Sequence, residues 1–228
     1  MKTLDIKKFI RNLDIIVGCT VGCNYCYARI NNNRFPITNN FSIPELVEKR
    51  IKRIGTRTQN VYFMTSASDL SDWKSEWKEL AFSSMIQNPQ HIYLFLTKRP
   101  NLINFNMEMS NVWVGVTINT SRDVEKINSL KKIKSKNYFA TFEPLHEDLG
   151  EINLEGIDWI VIGTETGSRK GKVTAKSQWV LNICNEANRL KIPIFMKSTL
   201  FDIVGEENFI QEFPESFVEK FKVTGKEV

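Results

Sequence analysis

Asp158-Trp159-Ile160-Val161-Ile162-Gly163-Thr164-Glu165-Thr166-Gly167 holds four apolar residues in a row, followed at once by small and polar ones. Four residues are too few for a helix, and an unbroken β-branched or aromatic run suits a parallel strand buried on both faces. Runs of this kind recur at 13–17, 61–64, 92–96, 112–116 and 138–142, with a seventh at 192–196. Between several of them the spacing predicts helices over 75–87, 121–133 and 174–190. Another is expected from Ser42 to about Ile54, because Glu45 follows Ser42 by three residues in a capping-box pattern. A last helix is expected near Glu206. Alternation of this sort predicts right-handed βα units. The expected architecture is α/β, a partial (βα)6 TIM-like barrel of mostly parallel strands, in a single domain over residues 1–228. The connections 100–110 and 144–156 are short for helical crossovers, so the helical layer should be thin there.

Each run gives way to polar residues. The first leads to Cys19, and the second to Thr65, Ser66, Ser68 and Asp69. The third is followed by Thr97, Lys98 and Arg99, the fourth by Thr117 and Asn119, and the fifth by Thr141 and Glu143. Thr164, Glu165 and Thr166 come after the sixth, and Lys197 after the seventh. Barrel-like α/β folds gather function at the C-terminal ends of their strands. Six strands delivering polar groups to one rim are hard to explain as packing.

With 42% hydrophobic and 25% charged residues, the 228-residue chain can bury a sizeable core. The N-terminal MKTLDIKKFIRN lacks the apolar core of a signal peptide, and no run is long enough to cross a bilayer, so a cytoplasmic protein without a membrane partner is expected. The net charge of +5 is mild. Two basic runs, Lys49 to Arg57 and Lys131 to Lys136, fall where helices are expected to end, at the rim away from the site.

Three of the four cysteines, Cys19, Cys23 and Cys26, lie within eight residues. In a reducing compartment such a cluster reads as metal or redox ligands. Cys184 sits apart, in a helical pattern with Val180, Leu181 and Ala187, and reads as a small buried hydrophobe. Iron–sulfur clusters usually take four cysteines, so a [4Fe–4S] cluster on these three keeps one iron open. Zinc is the alternative. It needs a fourth ligand, which His146 could supply, whereas His91 precedes a strand at the opposite rim.

The C-x3-C-x2-C spacing after the first strand, with Tyr25 before the last cysteine, resembles the radical S-adenosylmethionine (SAM) superfamily. That resemblance implies a [4Fe–4S] cluster on Cys19, Cys23 and Cys26, with SAM on the open iron. It further implies one-electron cleavage of SAM to a 5′-deoxyadenosyl radical, and an electron donor of flavodoxin or ferredoxin type. Tyr25 would lie near the adenine, Ser66 and Ser68 near the amino group, and Thr117 or Asn119 near the ribose or carboxylate. The segment 64–69 departs from the superfamily's usual Gly-Gly-Glu pattern, which leaves the amino-group acceptor open.

Segments 66–70, 96–100, 111–119, 142–145 and 158–167 resemble a phage- and bacteria-type group of small radical SAM proteins, and more distantly spore photoproduct lyase. The compact chain also resembles the queuine lyases, which cleave a C–N bond of queuine to release 7-aminomethyl-7-deazaguanine. On that reading the substrate is a small deazapurine. Its donor edge would meet Glu165 first, or Glu143 or Asp69, while Lys98 and Lys197 hold its polar far end; Glu165, Glu143 and Lys98 are the candidate catalytic groups. Each of these charges could instead form an ion pair across the rim, such as Lys98 with Glu143. A nucleic-acid lyase or modifier is the second reading, with Arg99, Arg122, Arg169, Lys170 and Lys172 as its basic groove. The third is a non-catalytic metal-binding module.

Overall fold

The computed structural model describes residues 3–223. Its strands are β1 (Ile10–Asn12), β2 (Ile16–Val17), β3 (Glu45–Leu46), β4 (Val61–Phe63), β5 (Ile92–Thr97), β6 (Val112–Thr117), β7 (Tyr138–Phe142), β8 (Trp159–Ile162) and β9 (Ile194–Met196). The helices are α1 (Ile6–Phe9), α2 (Tyr27–Arg34), α3 (Ser75–Ile86), α4 (Lys126–Leu130), α5 (Ser177–Arg189), α6 (Phe201–Val204) and α7 (Glu215–Val223). Seven strands form one sheet in the order β1-β4-β5-β6-β7-β8-β9, every neighbouring pair parallel, curled into a half-barrel. Strands β2 and β3 make a separate antiparallel ribbon. No helix among the described residues is long and apolar enough to cross a membrane.

The α/β character and the parallel sheet match the sequence expectation, but the count of six regular βα units does not. Among the described residues only α3 and α5 are crossover helices of three turns or more; a 3-10 turn, Pro100–Leu102, stands in the expected thin connection after β5. The helix expected over 121–133 splits into a 3-10 turn, Ser121–Asp123, and the short α4. Near Glu206 there is only a 3-10 turn, Glu206–Asn208, and the last helix begins at Glu215.

Two further expectations are corrected. The run 13–17 is not the first sheet strand. Ile10–Asn12 takes that edge beside β4, and the chain then bends so that Ile16–Val17 joins the ribbon. Leu13, Ile15 and Ile16 are all fully buried, so the apolar run reported burial but not which backbone it pairs with. The helix expected from Ser42 is absent as well. Glu45 pairs with Val17, Ser42 Oγ accepts from Arg29 Nη1 at 2.9 Å, and a 3-10 helix, Glu48–Arg53, comes next. With no returning helix there, Arg50 of the first basic run reaches the carbonyl of Asp14 (2.7 Å) instead of a far helix end.

Alternate residues of each strand point to opposite faces. One face joins α3, α4 and α5 in the larger core. The other carries Ile10, Leu94, Trp113, Phe139, Trp159 and Phe195, and packs against Phe213, Phe217 and Phe221 around α7. Phe9, one residue before β1, and Phe195 of β9 both pack on Phe213 just before α7 (ring centroids 5.3 and 4.7 Å apart), so the two edges approach each other on this face, the concave one. The two edges are also tied through the chain termini: Leu4 N–H donates to Gln211 Oε1 (2.6 Å), and Gln211 Nε2 donates to the carbonyls of Leu4 and Met196 (2.9 Å each).

Along the strands the concave face changes character. Leu96, Gly115, Phe139 and Trp159 lie level in the register, and the next inward row is Thr117, Thr141, Val161 and Phe195. Two residues further on come Asn119, Glu143, Gly163 and Lys197. Trp113 and Trp159 pack edge-on against Phe217 at 4.9 and 5.3 Å, geometry worth about 0.5–1.5 kcal/mol per pair beyond the area buried. The half-barrel is therefore plugged with aromatics at one end and polar at the other.

Glycines make room for the large inward groups. A Cβ on Gly115 would stand 2.4 Å from the Phe139 ring, and one on Gly163 would stand 2.9 Å from the Glu143 carboxyl carbon. Gly115→Ala should lower stability by about 1–3 kcal/mol in denaturant unfolding, the usual cost of overfilling a packed core. Combining it with Phe139→Leu should recover part of that loss.

Candidate functional site

The cysteine loop is pinned before its sulfurs come into play. Gly18, at φ +112°, takes a backbone shape that other residues rarely adopt, and a Cβ there would meet the Ile43 carbonyl at 2.7 Å. Gly18 N–H donates to Ala67 O, and Cys19 N–H to Phe41 O at 2.7 Å. Thr20 is held by Asp72, whose carboxylate accepts from its amide (2.9 Å) and its hydroxyl (2.6 Å). Arg99 completes the clamp, donating through Nη2 to Asp72 (2.7 Å) and Thr20 (2.9 Å), and through Nε to Ser71 (2.9 Å). The loop that leaves the first edge is thus stapled to the ends of β4 and β5.

Cys19, Cys23 and Cys26 are all free thiols and half-buried. The amide of Val21 points at Cys19 Sγ (3.5 Å) and that of Arg29 at Cys26 Sγ (3.4 Å). Burial, and then the charges of Asp69, Asp72 and Cys23, push the Cys19 thiol up to about 12. Such a sulfur ionises in the company of a cation, and coordination deprotonates it outright. Three thiols are the donor type that holds iron–sulfur clusters, in which each cysteine takes a different iron. Among the described residues no group of three or more His, Cys, Asp or Glu side chains is arranged to hold a metal ion, the three loop cysteines included. Cys184 is buried in the large core on α5 with Val180, Ile183 and Ala187, and Cys19 and Cys26 belong to a separate apolar cluster.

Beside the loop, Tyr25, Asn119 and Lys98 form one unit. The Tyr25 hydroxyl donates to Asn119 Oδ1 (2.6 Å), and Lys98 Nζ donates to the same oxygen (2.8 Å) while standing 5.2 Å over the Tyr25 ring. Asn119 is itself oriented by its amide, which donates to Pro144 O at 2.7 Å. Burial, and then the Cys23 charge, raise the Tyr25 phenol, so it acts as a donor; burial lowers the Lys98 ammonium. Three residues singled out from the sequence are brought together here.

Others are engaged elsewhere. Thr117 is fully buried below Asn119 and accepts from Thr141 at 3.2 Å. The hydroxyl of Ser66 donates to Asp14 (2.6 Å), its carbonyl accepts from Tyr27, and Ser68 Oγ accepts from Trp73 Nε1. Asp69 accepts from the Ser71 amide and hydroxyl, the Thr97 hydroxyl and the Lys98 amide. Glu165 is clamped by Arg169, with Nη2 at 2.7 Å and Nε on the other oxygen, and by the Val173 amide at 3.2 Å. Those hydrogen bonds hold its carboxyl down at about 2.

Sequence reasoning missed Asp14, which orders the β4 end by accepting from Ser66 and the Ala67 amide (2.8 Å), and whose pKa burial raises. Asp72 was missed too, although its position three residues after Asp69 was a turn signal. His146, weighed only as a zinc ligand, stands edge-on to Tyr25 (5.3 Å) with Nε2 3.6 Å from Glu165.

Glu143 is the acidic candidate with fewest protein partners. It pairs with Lys197 at 2.6 Å, not with Lys98, and both side chains are near 30% exposed. The pair lines a cleft of about 250 Å³ with Leu4 to Lys7, Thr166, Phe195, Ser198 and Thr199. Of the cations considered for a nucleic-acid groove, Arg99, Arg169 and Lys172 are bonded within the protein.

A family model described as "Protein of unknown function (DUF5131)" matches residues 6–203, and the chain belongs to that family. No curated protein and no solved structure matches the chain significantly.

The Glu165–Arg169 pair carries a pH dependence with a definite sign. A carboxyl depressed from 4.5 to about 2 on folding adds stability that is fully present above about 4.5. That contribution fades as pH falls toward about 2. The stability gap between wild type and Arg169→Gln, read by denaturant unfolding, should be widest near neutral pH and close across this acid range.

Proposed function

We propose that this DUF5131 protein is a radical SAM enzyme. Its Cys19, Cys23 and Cys26 would hold three irons of a [4Fe–4S] cluster, with Tyr25, Asn119 and Lys98 lining the SAM site. The observation that carries this reading is the loop itself. Three unpaired, half-buried thiols, two receiving amide hydrogen bonds, are stapled at the polar rim beside a tyrosine–asparagine–lysine unit. The cluster and SAM, when bound, supply a carbon-centred radical able to take a hydrogen atom from substrate. The protein's own part is binding and orientation. Lys98 offers a cationic donor suited to the SAM carboxylate, and Asn119 fixes both Lys98 and the Tyr25 ring through one oxygen.

The cleft beside Glu143 and Lys197 is the substrate site on this reading. At about 250 Å³ it is smaller than the ~300–1,000 Å³ of drug-sized ligand sites, which suits one base rather than a strand of nucleic acid. A guanine-like edge presents adjacent N–H donors beside a carbonyl. Glu143 can accept the donors in a charge-assisted pair while Lys197 donates to the carbonyl, so the ion pair divides across the ligand edge. Glu165 is saturated by Arg169 and Val173, and the substrate role passes to Glu143. We assign the reaction as C–N cleavage of queuine to release 7-aminomethyl-7-deazaguanine.

Anaerobically reconstituted protein should be brown and contain iron and sulfide. Cys23→Ala should abolish both, and Cys184→Ala should leave them unchanged; loss on changing Cys184 refutes the ligand set. With SAM and reductant, mass spectrometry should show queuine converted to 7-aminomethyl-7-deazaguanine. Glu143→Gln should weaken queuine binding about tenfold, near ~1.4 kcal/mol, while uncoupled SAM cleavage persists. If Glu143→Gln loses SAM binding and keeps queuine affinity, the substrate assignment is wrong.

A further inference from the structure

Among the described residues two buried side-chain polar atoms lack a hydrogen bond, Thr38 Oγ1 and His146 Nε2. A buried polar atom in this state calls for an explanation. The chain's other histidine shows the satisfied condition, with His91 Nδ1 accepting from the Asn60 amide at 3.1 Å. His146 stands instead at the polar rim. Its amide donates to Asn119 O and that of Leu145 to Gly163 O (3.0 Å each), which ties the segment to the chain just beyond β6 and β8. The ring lies edge-on to Tyr25, and its side chain keeps 20% of its surface exposed. Nε2 faces Glu165 Oε2 at 3.6 Å, in ion-pair range and beyond a direct hydrogen bond. That carboxylate cannot turn away, because Arg169 and the Val173 amide hold it. A fixed carboxylate beside Nε2 draws the ring proton to that nitrogen, which leaves the lone pair on Nδ1. Nδ1 is the ring nitrogen that is not buried, and no described residue bonds it.

We infer that His146 is a specificity-determining residue of the substrate site, its Nδ1 accepting a hydrogen bond from a hydroxyl of the substrate; the inference rests on the function proposed above. Its place in the chain carries this. Glu143, three residues before His146, and Thr166, next to Glu165, both line the cleft assigned to the base. Tyr25, on which the His146 ring packs, belongs to the cysteine loop. A base seated in the cleft therefore extends the part to be cleaved off toward the cysteine loop, past His146. In queuine that part is a hydroxylated carbon ring, which 7-aminomethyl-7-deazaguanine lacks. A hydroxyl donating to Nδ1 polarises the Nε2–H bond toward Glu165, so the orphaned atom gains its partner when the substrate is bound. Glu165 and Arg169 act through His146 and are positioning residues, which gives a carboxylate saturated by the protein a task at the rim.

The test is a calorimetric titration of the anaerobically reconstituted holoprotein, with SAM and without reductant, by queuine and separately by 7-aminomethyl-7-deazaguanine. Wild type should bind queuine the more tightly. His146→Phe should weaken queuine binding about tenfold and leave the affinity for 7-aminomethyl-7-deazaguanine and the iron content unchanged. His146→Asn, whose amide oxygen offers an acceptor near the place of Nδ1, should recover part of the loss. Glu165→Gln should lower queuine affinity in the same selective way but by less, whereas Glu143→Gln, at the base edge, should weaken both compounds. A His146→Phe protein that keeps the wild-type preference for queuine overturns the inference. Equal loss of both compounds overturns it too, since that is general damage to the site, as does a wild type that does not distinguish them. Wild type that takes up no iron, or binds neither compound, refutes the proposed function on which the inference rests.

Discussion

Parallel pairing is the constraint on which the rest of this structure depends. Adjacent parallel strands cannot be joined by hairpins, so every connection in the seven-stranded sheet crosses over and returns the chain to the same starting rim. All the strand ends then share one rim, and the segments leaving them must be ordered there with no sheet to complete. Curling the sheet brings the two edges, through Phe9 and Phe195, to a common aromatic, Phe213, and divides the concave face in two. The lower part is filled by aromatics from the strands and α7. The upper part, beyond the Thr117–Thr141 row, carries the polar and charged residues Asn119, Glu143 and Lys197.

Carboxylates, two buried (Asp69 and Glu165) and two half-buried (Asp14 and Asp72), organise that rim more than they decorate it. Asp14, Asp69, Asp72 and Glu165 each accept hydrogen bonds from backbone amides or from side chains of neighbouring loops. A buried charge is tolerated when it is paired and fully bonded, and a loop tied to it loses its freedom to wander. The cysteine loop is the clearest beneficiary, since Asp72 and Arg99 hold Thr20 one residue after Cys19. Glu143 and Lys197 differ, being part-exposed, lining a cleft and bonded chiefly to one another. That difference separates groups that build the rim from groups with few protein partners.

Much of the α/β architecture was legible because unbroken apolar runs such as 159–162 and 112–116 are buried on both faces whichever neighbours they have. The helices α3 and α5 were legible for a related reason, since each must bury one face on the sheet. Cys184 was legible too: its spacing from Val180 and Ala187 places it on the apolar face of a helix. The edge was not. The run 13–17 carries the same burial signal as a strand, yet a bend after Asn12 moves its backbone into a ribbon with β3. At Ser42 a local capping pattern lost to tertiary pairing, because Val17 claims the backbone of Glu45.

By itself the sequence determined the residue types at the rim, the cysteine spacing, and the change from apolar to polar along each strand. These are local properties, written in neighbouring residues. Only the tertiary structure decided which charges meet. Lys197 rather than Lys98 pairs with Glu143, Arg169 takes Glu165, and Asn119 joins Tyr25 to Lys98 across 94 and 21 residues of chain. Partner choice depends on register and curl, which bring particular strand ends face to face, and pattern along one strand carries no information about its neighbour's register.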